Sequence, residues 1–555
     1  MKILACTLLA LTTVPVMAQM GQMDQMNHPA RAASASERLG TVHFSVSCSA
    51  AVQGPFNRGV ALLHDFWYEE AKPQFEAIEK SDPHCAMAHW GVAMSDFHQI
   101  WSRPDEAAQK RGWVEMQKAK ALKAKTARER DYIAALSAFF RPGRAEYPER
   151  IAAYSNAMGK LYAAYPEDVD AGAFYALSLL AATPPNDTSL AWNRKAMVVL
   201  TPLIARYPDN PGLVHYIIHA CDNPSMAADG LAAADHYGEI APSGPHAFHM
   251  PGHIYARLGL WPQDIASQLG SIAASQTAAE HGESGIMDEP HSYDFLLYAY
   301  LQSGKDTLAT SVLNQNEAAL KTIASTPGMG AGYMAGMVSY YHSKLPVFYA
   351  LEMRDWKSAG ELEPPAGASP DVAAMSVWAR AIAHGHLKQA AAAAADLDRY
   401  HALIDEIRKG KNAYLADSTG TKIEQEEIIG WVHFAEGKQA GALEHMRSAA
   451  DLQDKVGQGE VDIPAREMLA DMLLESRQPR EALVEYEKAL QLSPHRFNGL
   501  YHAGMAAEEA GDKAKAHQFY AQLLKSTSNG TQSARPELAH AKAVASTREM
   551  AAGQQ

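Results

Sequence analysis

The sequence has few cysteines and no long apolar run after its first 18 residues. Only four of its 555 residues are cysteine, and no later stretch approaches the roughly 20 uninterrupted apolar residues of a membrane-spanning helix. The patterns GxxxxGK[ST], GxSxG, HExxH and CxxCH are all absent, which argues against the common nucleotide, serine-hydrolase, zinc-protease and haem sites. Basic residues are also in the minority. A net charge of −14 argues against nucleic acid as a partner.

Residues 1–18 are typical of a secretory signal. Lys2 precedes an apolar stretch from Ile3 to Val16, and Ala18 provides the small residue expected at a cleavage site. The stretch is too short to span a membrane as a helix. We therefore predict a signal peptide and a mature protein that is periplasmic or secreted.

Three cysteines remain after this processing, namely Cys48, Cys85 and Cys221. In an oxidising compartment an odd number suggests one disulfide and one leftover thiol. Cys48 precedes the first repeat and Cys85 starts the helix after it, so a bond between them would attach the N-terminal segment to the solenoid. Three buried, unpaired thiols are the alternative.

The chain is too long for one hydrophobic core unless it is a repeat array. If Pro494 is placed near the end of a repeat of about 34 residues, the small and aromatic residues before it stand at the positions where such a repeat has them. These residues are Ala470, Ala482, Tyr486 and Ala489. The same positions hold Gly504, Ala516, Tyr520 and Leu523 one period later, and Gly59, Ala71, Phe75 and Ile78 before Pro83.

This pattern resembles the tetratricopeptide-repeat (TPR) family. Small residues let paired helices approach, and the aromatic fills the space beside them. The resemblance implies an all-α, right-handed superhelical solenoid of antiparallel helix pairs. We expect a disordered Met-rich leader over 19–45, TPR-like arrays over 46–362 and 371–530, a Pro-rich linker over 363–370, and a C-terminal helix or tail over 531–555. The glycine-rich residues 327–337 are expected to form a loop.

Histidines are concentrated in one part of the chain. Six of the 24 lie between positions 215 and 253, where an even distribution would put roughly two. His215 and His219 are four residues apart on a predicted helix, so both imidazoles lie on one face. His246, His249 and His253 follow at spacings of three and four.

His291 stands at the start of a later predicted helix and is the sixth candidate ligand. Because the first helices of successive TPR pairs line the concave surface, we expect these six imidazoles to converge on a metal site. Asp222 and Asp294 are expected to accept hydrogen bonds from the ligand rings. The alternative is that each histidine caps a helix or sits satisfied in the core.

The leader favours copper as the metal. Met20, Met23 and Met26 recur every three residues before His28, and thioethers select Cu(I). The segment resembles the copper-scavenging tails of periplasmic copper-handling proteins, although a merely Met-rich leader is the alternative. Zinc is the second candidate. Two groups of three histidines would suit a coupled dicopper centre, and one group with an open position would suit a mononuclear site.

A second, weaker cluster consists of His64, His89 and His98. The first two lie on the first helices of successive predicted pairs, so we expect them to face each other, with Asp65 and Asp96 nearby. The alternative is that they are buried polar anchors beside aromatic residues.

Four segments also resemble a group of bacterial secreted TPR proteins. They are LLHDFWYEEA at 62–71, DPHCAMAHWGVAM at 82–94, HYIIHACDNP at 215–224 and HMPGHI at 249–254. The resemblance covers most of residues 40–360 and implies export and a helical array, but no particular activity. Cys221 stands where such proteins are expected to have an aromatic, which argues against this thiol as a ligand.

The sequence leads to three functional hypotheses. The first is a periplasmic copper-binding TPR protein, with copper-dependent oxidoreductase activity as one form of it. The second is a metal-free scaffold whose concave surface grips a peptide or protein partner. The third is hydrolysis by zinc-bound water with Asp222 as base. It has the least support, because no acidic residue stands in a zinc-hydrolase pattern.

Overall fold

The computed structural model describes residues 37–552 except 99, 101–102, 144–145, 185–186, 286–287, 326–330, 411, 460 and 528–532. The predicted signal peptide and the leader residues Met20, Met23, Met26 and His28 lie outside this range. Throughout the described part, the regular secondary structure is helical. No described helix combines the length and the apolar character needed to cross a membrane.

Twenty-five α-helices follow one another along the described chain. The first thirteen are α1 Gln53–His64, α2 Tyr68–Ser81, α3 Ala86–Ser95, α4 Glu106–Leu122, α5 Ala127–Phe140, α6 Tyr147–Ala164, α7 Val169–Ala181, α8 Ala191–Ile204, α9 Pro211–Cys221, α10 Ala227–Ile240, α11 Pro245–Leu258, α12 Trp261–Glu280 and α13 Glu289–Gln302. The others are α14 Asp306–Ser325, α15 Ala331–Glu352, α16 Trp356–Gly360, α17 Pro370–His386, α18 Ala390–Lys409, α19 Thr419–Ala435, α20 Gln439–Val456, α21 Ala465–Glu475, α22 Pro479–Leu492, α23 Phe497–Glu509, α24 Lys513–Ser526 and α25 Pro536–Ala552. Short 3-10 turns lie at Ala50–Val52 and Ala413–Asp417.

Successive helices pack against each other, as the repeat pattern predicts. A β-carbon on Gly59 would lie 2.7 Å from the Phe75 ring, and one on Gly91 would lie 2.2 Å from it. Phe75 of α2 therefore fits between α1 and α3 only because both helices have a glycine there. Gly504 and Tyr520 repeat this contact near the C-terminus, where the added β-carbon would lie 2.4 Å from the ring. The predicted all-α solenoid of successive helix pairs is confirmed.

Residues late in the chain contact helices from its middle. The Trp261 indole donates a hydrogen bond to the His495 carbonyl at 2.9 Å, and the Phe497 amide donates to Gln302 Oε1 at 2.8 Å. The late residues His495 and Phe497 therefore pack against α12 and α13. His291 lies on α13. The predicted linker, residues 363–370, lies between α16 and α17. The apolar core of the C-terminal helices contains residues from before and after this linker.

The N-terminal segment differs from our expectation. Residues 37–45 are packed, so the prediction of disorder is wrong for this part of the leader. The Phe44 ring is fully buried and stacks on Trp90, and the Gly40 amide donates to the Ile240 carbonyl at 2.9 Å. Leu39, Val42 and Phe44 bury enough apolar surface to hold an extended segment on the helices.

A disulfide anchors the C-terminal end of this N-terminal segment. Cys48 and Cys85 form a disulfide with an S–S distance of 2.06 Å, which links the segment to the start of α3. Cys221 is a buried free thiol.

The glycine-rich stretch also differs from our expectation. Its residues 331–337 are helical because they form the beginning of the 22-residue helix α15, so the loop prediction is wrong there, whereas 327–330 lie outside the described residues. Each glycine costs a helix about 1 kcal/mol relative to alanine. The later turns of α15 bury Leu345, Val347 and Leu351, which offsets that cost.

Candidate metal centre

The six predicted histidines lie on α9, α11 and α13. Asn210 caps α9 by accepting a hydrogen bond from the Leu213 amide, and α11 begins at Pro245, with Pro251 inside the helix. The histidines form two groups of three, the first triad (His215, His219 and His246) and the second triad (His249, His253 and His291). Within each triad, one potential ligand atom of every ring lies within 4.8 Å of the others.

In the first triad, the His215 ring has a defined tautomer. Its Nδ1 lies 2.6 Å from the His64 carbonyl oxygen, and because a carbonyl only accepts, Nδ1 carries the hydrogen. Nε2 therefore carries a lone pair, and this atom is buried without a hydrogen-bond partner. Burial, followed by repulsion from His219 and His246, holds the pKa of His215 well below its ordinary range. The ring is neutral and able to ligate.

The Phe66 side chain packs against all three rings of the first triad. Its ring centroid lies 4.4 Å from that of His215, 5.4 Å from that of His219 and 5.6 Å from that of His246. Phe66 has a left-handed backbone with a φ of 57°, which costs a residue with a β-carbon roughly 1–2 kcal/mol. The neighbouring Trp67 indole donates to the Ser284 carbonyl at 2.7 Å and anchors this turn. Such strain is typical of functional sites.

In the second triad, two rings face each other through their Nε2 atoms. His249 Nδ1 donates to Gln268 Oε1 at 2.8 Å, and His253 Nδ1 donates to Asp222 Oδ2 at 2.9 Å. The Gln268 amide is oriented by its own donation to Asp264 Oδ1 at 3.0 Å. The two Nε2 atoms lie 2.9 Å apart, which is hydrogen-bond distance.

Because both Nδ1 atoms donate elsewhere, this contact requires either a second hydrogen on one of the two rings or a cation that both rings share. Two nitrogens bound to one zinc ion at about 2.0–2.1 Å in tetrahedral geometry are separated by about 3.3 Å, so a small outward shift of the two rings would admit a shared ion. Burial and the neighbouring His291 and His253 hold the pKa of His249 well below its ordinary range, which disfavours a proton on His249. The contact is satisfied either by a metal ion that the rings share or by a second hydrogen on His253, whose Nδ1 faces Asp222.

A close backbone approach makes the second triad possible. A β-carbon on Gly252 would lie 1.9 Å from Gln268 Nε2, so only glycine lets Gln268 reach His249 from α12. Phe295 packs on the other side, with ring centroids 5.0 Å from that of His249 and 5.3 Å from that of His291.

The two triads are neighbours. His246 and His249 belong to different triads but are three residues apart on α11, with ring centroids separated by 5.9 Å. His215, His246 and His249 are buried, whereas His219, His253 and His291 are partly exposed. The Nε2 atoms of His215, His219 and His246 and the Nδ1 atom of His291 are nevertheless buried.

The two predicted acidic partners have different roles. Asp222 accepts a hydrogen bond from the second triad, as described above. Asp294 on α13 forms an ion pair with Lys344. That contact places the Lys344 ammonium beside α13 and raises the pKa of Lys344 despite its burial.

The weaker cluster is not brought together. His64 Nδ1 and Nε2 contact Tyr216 and Asp170, and the His98 ring stacks on Tyr68. Among the described residues, no group of three potential ligands contains more than one of His64, His89 and His98, so the predicted grouping is wrong. His64 faces α7 and α9 from α1, whereas His89 faces α2 and α4 from α3. The backbone of His64 nevertheless supports the first triad through its carbonyl.

His89 lies between two carboxylates instead. Its Nδ1 is 2.6 Å from Glu79 Oε1 and 2.7 Å from Glu115 Oε2. Burial lowers the pKa of His89, but the two carboxylates outweigh it and raise the pKa to about 9. Neither glutamate was found from the sequence, because each stands on a different helix outside any recognisable motif.

No family model and no curated protein matches the sequence. Three solved structures are similar in part. A human IFIT1 dimer with PPP-AAAA is 10% identical with a TM-score of 0.37, covering 84% of this chain and 94% of that chain. The P58(IPK) TPR domain is 13% identical with a TM-score of 0.21, covering 90% and 99%. Yeast Tom70 is 10% identical with a TM-score of 0.32, covering 90% and 96%. These likenesses are too low to bear on function.

Proposed function

We propose that the protein binds two metal ions, one in each triad, with copper favoured and zinc second. In this proposal it is a periplasmic or secreted TPR-like protein whose histidines face the concave surface, and copper-dependent oxidoreductase activity is one use of the bound ions. The observation that carries the proposal is that His249, His253 and His291 each bring one ring nitrogen within 4.8 Å of the others, with the His249 and His253 Nε2 atoms only 2.9 Å apart.

The first triad supports the same conclusion independently. A buried Nε2 lone pair without a partner, as in His215, costs a protein roughly 1–3 kcal/mol. A metal ion shared with His219 and His246 would remove that cost. The carbonyl of His64 would orient the ring, in the way that outer hydrogen bonds commonly fix ligand imidazoles.

The ligand type favours copper. All six candidate ligands are imidazoles, and copper has the highest affinity among first-row divalent ions at nitrogen sites. An external ligand would approach the ions past the partly exposed rings of His219, His253 and His291. Two neighbouring copper ions could exchange electrons with such a ligand, which is the basis of the oxidoreductase hypothesis.

Metal analysis of the exported protein tests the proposal. After reconstitution with copper or zinc and removal of loose metal, we expect about two equivalents per chain that depend on the triads. His215→Ala and His249→Ala should each lose about one. His236→Ala is the matched control, because His236 is 37% exposed and belongs to neither triad. Less than roughly a tenth of an equivalent in the wild-type protein would contradict the proposal.

A scaffold role is the second candidate. The observation that favours it is a long C-terminal stack, α17 to α25, in which no described group of three residues could hold a metal. Its surfaces would then serve a protein or peptide partner. Crosslinking should recover such a partner, and binding should be unaffected by His215→Ala or His249→Ala.

A further inference from the structure

Three consecutive helices bring Glu79, His89 and Glu115 together, far along the chain from both triads. Glu79 lies on α2, His89 on α3 and Glu115 on α4. Both glutamates direct one oxygen at the same ring atom, His89 Nδ1, at 2.6 and 2.7 Å. One potential ligand atom of each residue lies within 4.8 Å of the others.

The single Nδ1 hydrogen cannot serve both carboxylates. It is donated to Glu115 Oε2, whereas Glu79 Oε1 is a buried atom without a hydrogen-bond partner. Two carboxylates and a ring nitrogen therefore converge on one point, and the single hydrogen there is donated to only one of the two carboxylates. A cation at that point would be attracted by all three atoms at once.

We propose that Glu79, His89 and Glu115 form a third metal site, independent of the triads, that takes a divalent cation of the Zn²⁺ class. Zinc is bound by histidine nitrogen at about 2.0–2.1 Å and by carboxylate oxygen at about 2.0–2.2 Å. Small side-chain shifts from the observed contacts bring all three atoms to those distances. The metal replaces the Nδ1 hydrogen, which leaves as a proton.

The surroundings fit a site with exchangeable positions. A pocket of about 450 Å³ opens at the three residues and is also lined by Glu76, Lys80, Pro83, Val92 and Lys118. It provides an entry path and room for the water that completes zinc coordination. Lys118 Nζ donates to Glu115 Oε1 at 2.7 Å, which leaves Oε2 for the ion.

The turn between α2 and α3 is held in place. The Cys48–Cys85 disulfide fixes the residue before α3, and Asp82 Oδ2 accepts a hydrogen bond from the Ser49 amide at 2.7 Å. Glu79 and His89 flank this turn, so their separation is set before any ion binds. Such preorganisation lowers the cost of binding.

Zinc titration of the full-length protein by calorimetry tests the site. Glu79→Gln should lose one zinc equivalent or weaken it at least about tenfold, while the His89–Glu115 hydrogen bond keeps the local fold. Glu76→Gln is the matched control, since it lines the same pocket outside the three ligands, and it should bind as the wild type does.

The test also separates this site from the triads. The double variant His215→Ala/His249→Ala should retain the zinc equivalent that Glu79→Gln removes, whether or not the triads bind metal. Identical zinc binding by the wild type and Glu79→Gln would overturn the inference. It would identify His89 as an imidazolium shared by two carboxylates and nothing more.

Discussion

The two carboxylate oxygens of Asp222 accept hydrogen bonds from two different side chains of α11. Oδ2 accepts a hydrogen bond from His253 Nδ1 at 2.9 Å, and Oδ1 accepts one from Arg257 Nε at 3.0 Å. Arg257 thereby fixes the carboxylate, and the carboxylate fixes the tautomer of His253. A carboxylate in this position also makes the ligand nitrogen more basic.

The first prediction concerns this carboxylate. Asp222→Asn should weaken metal binding by the second triad by about 10–100-fold, the usual cost of losing an outer partner of a ligand. Competition with a chelator of known affinity measures the change. Asp229→Asn, an exposed substitution on α10, should leave the affinity unchanged. Equal affinities for all three proteins would show that Asp222 does not tune the site.

Acid release of the metal is the second prediction. Burial holds the pKa of His215 and of His249 well below its ordinary range, so protons compete for these nitrogens only in clearly acidic solution. Bound metal should stay at pH 6 and be lost as the pH falls toward about 5 and below. Metal analysis after dialysis at each pH measures release, with circular dichroism to follow the fold. Full retention at pH 4 would point to ligands other than imidazole.

The solenoid and the grouping of the six imidazoles were both predictable from the sequence, but the two predictions depend on different patterns. Repeat spacing depends on helix packing, which recurs locally, and the pairs His215/His219 and His249/His253 share a helix face by their spacing alone. The partition into two triads depends on where α13 brings His291. That is a tertiary relationship with no local signal.

Other parts of the candidate sites have no sequence signal of this kind. Gln268 reaches His249 only because Gly252 lies opposite it, and the His64 contribution comes from a backbone carbonyl. His89 was grouped with the wrong partners because its neighbours Glu79 and Glu115 come from adjacent helices. The spacing within a motif identifies residues that share a face of one helix, whereas contacts between residues of different helices are known only from the structure.

The third prediction concerns the disulfide. Cys48 and Cys85 are 37 residues apart, and a loop of this length corresponds to about 3–4 kcal/mol in the chain-entropy model. Cys48→Ser should destabilise the N-terminal helices by about that amount in urea unfolding. A reductant should produce the same loss in the wild-type protein and no further loss in the variant. A reductant effect in Cys48→Ser would mean that the loss has another origin.

The fourth prediction concerns His502 on α23. Burial, followed by the positive charge of Arg354, lowers the pKa of His502 to about 4. In the unfolded chain its pKa is about 6.5, so below that pH only the unfolded state takes up the proton. Stability should fall by about 3 kcal/mol as the pH falls from 7 to 4, and this contribution is constant above pH 7.

His502→Asn provides the comparison for this pH dependence. An asparagine amide can still donate to the Asn498 carbonyl, as His502 Nδ1 does at 2.9 Å, but it does not titrate. Urea unfolding between pH 4 and 7 should therefore show a shallower slope for the variant. Parallel curves would assign the acid sensitivity to other groups.

The fifth prediction concerns Arg496, which is buried among carboxylates from two parts of the solenoid. Its guanidinium contacts Glu467 at 2.8 Å and Glu352 at 2.9 Å, and it also donates to the Tyr298 hydroxyl on α13. Arg496→Ala would leave two buried carboxylates without their cation, a change that costs about 3–5 kcal/mol. Urea unfolding measures the loss. Arg477→Ala should change stability by less than about 0.5 kcal/mol, because Arg477 is 85% exposed and only 3.8 Å from Glu509.

Uncompensated charge and lost packing can be separated at this position. Adding Glu352→Gln and Glu467→Gln to Arg496→Ala removes both buried charges but restores none of the guanidinium contacts. If the carboxylates cause the loss, the triple variant should be more stable than the single variant, because neutral amides are less costly to bury. If packing against Tyr298 dominates, the added substitutions should recover nothing, and Arg496 would then hold the late helices to α13 mainly by its shape.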